Sequence, residues 1–142
     1  MCEKILVPLN SSPYSKRALK VALKIARDTG AKVTVLHVAH VSAGFGGWML
    51  AAGPMIWPPK FVNDGEEVLK SILSDQDFNY ERIESKVSVG NPVETIVNTA
   101  KEEKTDLLVM GTRGLGRLTG LFLGSISQRV VQDAPCPVLL IK

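Results

Sequence analysis

Short apolar runs alternate with longer amphipathic stretches along the chain, and this alternation carries most of the structural information. Ile5-Leu6-Val7-Pro8-Leu9 is a continuous apolar strand, ended by the turn-forming Asn10-Ser11-Ser12. Pro13 stands where a first helical residue should, with Ser12 as N-cap, because the missing proline N–H costs nothing in a first turn. The helix runs to about Thr29, with Ala18, Val21, Ala22, Ile25 and Ala26 on its inner side at helical spacing, and Gly30 stops it. Lys32 to Val38 reads as a second strand. Asp64-x-x-Glu67 reads as a capping box ahead of the stripe Leu69, Ile72 and Leu73. Glu84 to Val89 alternates as a half-exposed strand. Asn91-Pro92-Val93-Glu94 then supplies an N-cap, an N1 proline and an N3 glutamate, and Val93, Ile96, Val97 and Ala100 form the inner stripe of the helix they start. Asp106 leads into the apolar run Leu107 to Met110, Ser125 to Gln132 reads as a short helix, and Pro137 to Ile141 as the last strand.

The resulting order, β-α-β-α-β-α-β-α-β, predicts a three-layer α/β/α fold around a parallel sheet. Right-handed crossovers place the loops after strands one, two and four at one carboxyl edge. The 142 residues suit one domain, 1–142, since a chain of this length buries roughly two-thirds of its unfolded surface. Ala43 to Trp57 is apolar but short for a membrane span, and Gly44, Gly46, Gly47, Gly53 and Pro54 interrupt it. It reads as a long glycine-rich loop whose Phe45, Trp48, Met49, Met55 and Trp57 leave three roles open: a lid, a dimer contact or a partner surface.

Charge and cysteines narrow the function classes. A net charge of +3, without a basic run or an aromatic stacking module, argues against nucleic acid as partner. Lys16, Arg17, Lys20, Lys24 and Arg27 are explained by a solvated helix face. Cys2 and Cys136 lie far apart with no metal or disulfide spacing, and His37 and His40 lack further ligands. The N-terminus runs straight into a strand without a leader pattern, so the expectation is a cytoplasmic protein with no membrane association.

The candidate chemistry sits near the C-terminus. Val109-Met110-Gly111-Thr112-Arg113-Gly114 is followed, after nine residues, by Gly124-Ser125-Ile126-Ser127. A strand, a glycine-rich loop and a helix start together form an anion site: glycines let backbone N–H groups approach a ligand, and unpaired N–H groups at the helix start favour negative charge. The spacing excludes two commoner phosphate motifs. Gly111, Gly114 and Gly116 give G-x-x-G-x-G rather than G-x-G-x-x-G, and no Gly-Lys-Ser/Thr follows as a Walker loop needs. The motif reads as a nucleotide-phosphate site.

Taken with Ile5-Leu6-Val7-Pro8, Ser12, Ala18, Leu36-His37-Val38, Gly90-Asn91-Pro92 and Ala134-Pro135-Cys136-Pro137-Val138, this motif makes the whole chain resemble a universal stress protein of the UspA-like type. The nine-residue gap before Gly-Ser is similar to that of the family's ATP-binding branch. The resemblance implies a five-stranded sheet of order 3-2-1-4-5, a homodimer and bound ATP or AMP. It further implies that Gly111 and Gly114 shape the loop, that Gly124, Ser125 and Ser127 hold phosphate oxygens, and that Ile126 belongs to the same nucleotide-binding segment. Pro8, Asn10 and Val38 map to the adenosine end, and Met110 to the pocket floor. Arg113 and Arg117 either reach a phosphate or are solvated loop charges. Magnesium or manganese, where present, would be held mainly by the phosphates. Asn10 stands where the family usually has aspartate; it keeps one acceptor, adds donors and loses a charge, which weakens one hydroxyl or amine contact by ~1–2 kcal/mol. The expected role is nucleotide-dependent regulation in a stress response, through a dimer joined by strand 137–141 and a regulatory protein partner of unknown identity. Slow ATP hydrolysis and a nucleotide-free interaction module are the competing classes.

Overall fold

Every described strand runs parallel to its neighbours, so the connections between them must cross a face of the sheet, and helices provide those crossings. The computed structural model describes residues 1–39, 59–112 and 124–142. In chain order these form β1 (Lys4–Pro8), α1 (Pro13–Thr29), β2 (Lys32–Ala39), α2 (Pro59–Leu73), a short 3-10 turn (Gln76–Phe78), β3 (Ile83–Val89), α3 (Pro92–Glu102), β4 (Leu107–Gly111), α4 (Ser125–Asp133) and β5 (Val138–Ile141). The five strands lie in the order β3-β2-β1-β4-β5. This is the three-layer α/β fold that the element order predicts, with the strand order that the family resemblance implies.

Residues alternate across the sheet and divide the core in two. Ile5, Val7, Val33, Val35 and Val109 face α1 and α2, where they pack with Leu19, Leu23, Leu69 and Phe78. Leu6, Leu36, Leu108 and Met110 face the other way, onto Ile96, Ala100 and Val130 of α3 and α4. Both faces of the central strands are therefore covered, which is why those strands read as unbroken apolar runs.

Some local expectations are corrected. The buried stripe of α1 is Ser15, Ala18, Leu19, Ala22, Leu23 and Ala26, whereas Val21 and Ile25 are only half-buried. Leu19 and Leu23 are instead fully buried in the cluster against the sheet. The Asp64-x-x-Glu67 pair caps nothing, because α2 starts at Pro59 and both residues lie inside the helix. Gly65, also within α2, faces the sheet. A Cβ there would stand 2.6 Å from Val87 Cγ1 and 3.0 Å from His37 Cδ2, so the missing side chain lets α2 approach β2 and β3. Other caps hold as expected. Ser12 Oγ accepts from Ser15 N–H and Asn91 Oδ1 accepts from Glu94 N–H, while Gly30 closes α1 at φ 74°, its N–H donating to the Ala26 carbonyl.

A charged network fastens the opposite, amino edge. Lys86 Nζ lies 2.7 Å from Glu103 Oε1, and Asp106 accepts the Glu3 and Lys4 amides at 2.9 Å each. Burial pushes the Glu103 carboxyl up, but hydrogen bonds from Lys86 and Thr34 with the Lys86 and Lys32 charges outweigh it, leaving a net depression. Asp106 is held low by the two backbone amides. It therefore serves the β1–β4 junction at the far edge from the glycine loop.

Candidate functional site

The strand order leaves a cleft at the carboxyl edge, because α1 leaves β1 for one face while α4 leaves β4 for the other. A cavity of about 230 Å³ opens there, lined by Pro8, Leu9, Asn10, Ser15, Leu36, Val38, Pro92, Ile96, Met110, Gly111, Ile126 and Ser127. Seven of the expected site residues meet in it: Pro8, Asn10, Val38, Met110, Gly111, Ile126 and Ser127. Gly124 and Ser125 adjoin it at the start of α4. Arg113, Gly114 and Arg117, and the loop at 43–57, lie outside the described residues. Leu9, Ser15, Leu36, Pro92 and Ile96 line the cavity without having been singled out. Period two from Val38 points back to Leu36, and helical spacing from Pro92 points on to Ile96.

At the start of α4 the helix differs from α1 and α3. Gly124 is its N-cap and no side chain caps it, whereas Ser12 and Asn91 cap the other two; like α1, it has no acidic residue in its first turn. Among the described residues the amides of Ser125, Ile126 and Ser127 find no acceptor, whereas Gln128 N–H already bonds the Gly124 carbonyl at 3.0 Å. Three such N–H groups with the positive end of the helix dipole suit an anion. Gly124 has φ −60°, a conformation open to any residue, so its backbone does not demand glycine. Its amide donates to the Thr112 carbonyl at 2.9 Å, so the chain re-enters beside the point where it left β4.

Two expected roles change. The Ser127 hydroxyl, 3% exposed, donates to the Gly111 carbonyl at 3.0 Å. Its single proton ties α4 to β4, and only its backbone N–H is left for an anion. Gly111 is set by packing against α1: a Cβ there would fall 2.7 Å from Tyr14 Cβ and 2.9 Å from the Tyr14 carbonyl carbon.

Asn10 and Val38 flank the end of β1. Asn10 Oδ1 accepts from Ser12 N–H at 2.8 Å and lies 2.9 Å from Ser15 Oγ, which also donates to the Asn10 carbonyl at 2.7 Å. The backbone donor at Ser12 fixes which end of the carboxamide is oxygen. The acceptor that the sequence reading assigned to a ligand is thus spent within the turn, and the NH2 group is the end that remains. At β2, Leu36 faces β1, since Leu9 N–H donates to its carbonyl at 2.8 Å; Ala39 faces β3, since Gly90 N–H donates to its carbonyl at 3.1 Å. Alternation turns the Val38 N–H and C=O to the β1 side, where β1 has already ended at Pro8. His37 points to the α2 face, its Nδ1 2.9 Å from the Leu9 carbonyl, and does not line the cavity.

The whole sequence, residues 1–142, matches the model of the universal stress protein family. The chain belongs to that family. A universal stress protein of Thermus aquaticus is 37% identical, with 100% of both chains covered. Among solved structures, universal stress protein UspA from Lactobacillus plantarum superposes with a TM-score of 0.71 at 26% identity, covering 99% of this chain and 98% of that one. A further universal stress protein, solved in complex with cAMP, gives a TM-score of 0.63 at 25% identity, with 99% and 96% covered.

Other chemistry finds less support in this universal stress protein fold. Burial pushes the Cys136 thiol up, and burial with the nearby Asp106 charge raises Cys2, so neither is poised as a thiolate. Among the described residues no cluster of His, Cys, Asp or Glu could hold a metal ion, and no helix is long and apolar enough to cross a membrane.

Proposed function

We propose that this chain binds an adenine nucleotide, ATP or AMP, at the carboxyl edge of its sheet and uses occupancy to regulate the contacts of a homodimer. The observation that carries the reading is the uncapped start of α4 at the mouth of a cavity whose described lining residues are all uncharged. The cavity is smaller than the roughly 300–1,000 Å³ of pockets that enclose a whole drug-sized ligand, which suits a base and sugar with the phosphates outside. The phosphates then meet the amides of Ser125, Ile126 and Ser127, beside Gly124. The base lies between Pro8, Val38 and Met110, with the adjacent N–H and C=O of Val38 supplying the donor and acceptor that the N1/N6 edge of adenine requires. The family structure in complex with cAMP supports an adenine ligand. Magnesium or manganese would ride on the phosphates. With neither carboxylate nor imidazole among the described lining residues, the site is read as binding rather than hydrolytic.

β5 is the sheet edge next to β4, and its Val138, Leu139, Leu140 and Ile141 are half-exposed and apolar. A second copy across a twofold axis would cover that edge. A stable monomer in sedimentation at micromolar concentration would refute the dimer.

The test of the site is Gly124→Asp. Its carboxylate would occupy the anion position and cap α4 in its place, so AMP and ATP binding by calorimetry should vanish while the circular dichroism spectrum is kept. Unchanged affinity would remove the site.

A further inference from the structure

Among the described residues three polar side chains line the cavity, and their hydrogen bonds leave one of them with a donor free for a ligand. Ser127 Oγ is committed to the Gly111 carbonyl and Ser15 Oγ to the Asn10 turn. Asn10 Oδ1 is held by Ser12 N–H, so what Asn10 offers is its NH2, a donor without acceptor capacity. The sheet order gives that donor a place. β1 lies between β2, whose end carries the Val38 edge, and β4, which leads to the phosphate end. A nucleotide laid across these ends, spaced about 4.8 Å apart, sets its sugar above the end of β1, beside Asn10.

The charges around this point agree in sign. The described lining contains no carboxylate, and the first turn of α1, which begins three residues after Asn10, contains no acidic residue. Lys16 and Arg17 follow on the exposed side of α1. A sugar hydroxyl can satisfy the NH2 group by accepting. So can a phosphate ester oxygen, and here no fixed negative charge opposes it.

We infer that Asn10 is a specificity-determining residue that opens the sugar end of this cavity to adenine nucleotides bearing a phosphate on the ribose 2′ or 3′ oxygen. The inference rests on the nucleotide reading above. Asn10→Asp separates the two. The carboxylate retains an oxygen for Ser12 N–H and Ser15 Oγ, so the turn and the fold are preserved, but the second oxygen faces the sugar as an anion that accepts from hydroxyls and repels phosphate.

Calorimetry with AMP, adenosine 3′,5′-bisphosphate and adenosine 2′,5′-bisphosphate reads the difference. The wild type should bind at least one bisphosphate as tightly as AMP. Asn10→Asp should weaken that bisphosphate relative to AMP by about tenfold or more, through like-charge repulsion at close range. A wild type that binds AMP but both bisphosphates more than tenfold worse overturns the inference and leaves the nucleotide site standing. Equal losses for AMP and bisphosphate in Asn10→Asp also overturn it, by showing that Asn10 only shapes the turn. A wild type that binds none of the three refutes the nucleotide site itself.

Discussion

Gly111→Ala tests whether the glycine after β4 serves a ligand or the scaffold. The added methyl would lie 2.7 Å from Tyr14 Cβ, 2.9 Å from the Tyr14 carbonyl carbon and 3.1 Å from Ser15 N. Carbon pairs rest at about 3.5–4.0 Å, so the start of α1 must retreat by several tenths of an ångström. Two of the three atoms are backbone and cannot rotate away. Overpacking of this kind costs about 1–3 kcal/mol, which for a domain of this size lowers the melting temperature by roughly 3–10 °C. The displaced segment also carries Ser12 and Ser15, which hold Asn10 in the cavity wall, so AMP affinity should fall with stability. Urea unfolding followed by circular dichroism, with calorimetry on the same samples, measures both. An unchanged urea midpoint with lost binding would show that Gly111 serves the ligand directly and would refute the packing argument.

Ser127→Ala leaves the Gly111 carbonyl without its buried donor, and should cost about 1–3 kcal/mol in urea unfolding while AMP affinity drops less than for Gly124→Asp. The acid side of the stability profile should follow Glu103 and Asp106. Their depressed carboxyl values mean that stability is fully present above the ordinary carboxylate range and is lost as pH falls through it towards the lowered values. Glu103→Gln should flatten that loss in a melting-temperature series from neutral to acid pH; an unchanged slope would place the dependence elsewhere.

The fold was legible because its central strands are buried on both faces and its helices on one, so those strands appear as apolar runs and the helices as stripes. Strand ends moved by about a residue: Leu9 continues the apolar run of β1 but already belongs to the turn. On α1, Val21 and Ile25 look as suitable as Leu19 and Leu23, and only the angle at which the helix meets the sheet decides between them. The site residues Pro8, Asn10, Val38 and Met110 gather at one cavity because parallel topology sends their strand ends to one edge. What the sequence could not convey was the destination of individual hydrogens. Ser127 resembles a phosphate ligand until its proton is found on Gly111, and Asn10 resembles an acceptor until Ser12 takes its oxygen. Such assignments depend on contacts between side chains and backbone that no spacing encodes.

The bond from Gly124 N–H to the Thr112 carbonyl pins the departure and return of the chain to one another. For the rest of the protein, whatever lies between Thr112 and Gly124 leaves and returns at one place. Doubling the number of residues between two such joined points costs only about 0.6 kcal/mol more. Residues can be added there, removed or exchanged while β4, α4 and the sheet keep their register. What joins Thr112 to Gly124 is in this sense a replaceable part, one that selection or a designer can rewrite without re-solving the fold beneath it.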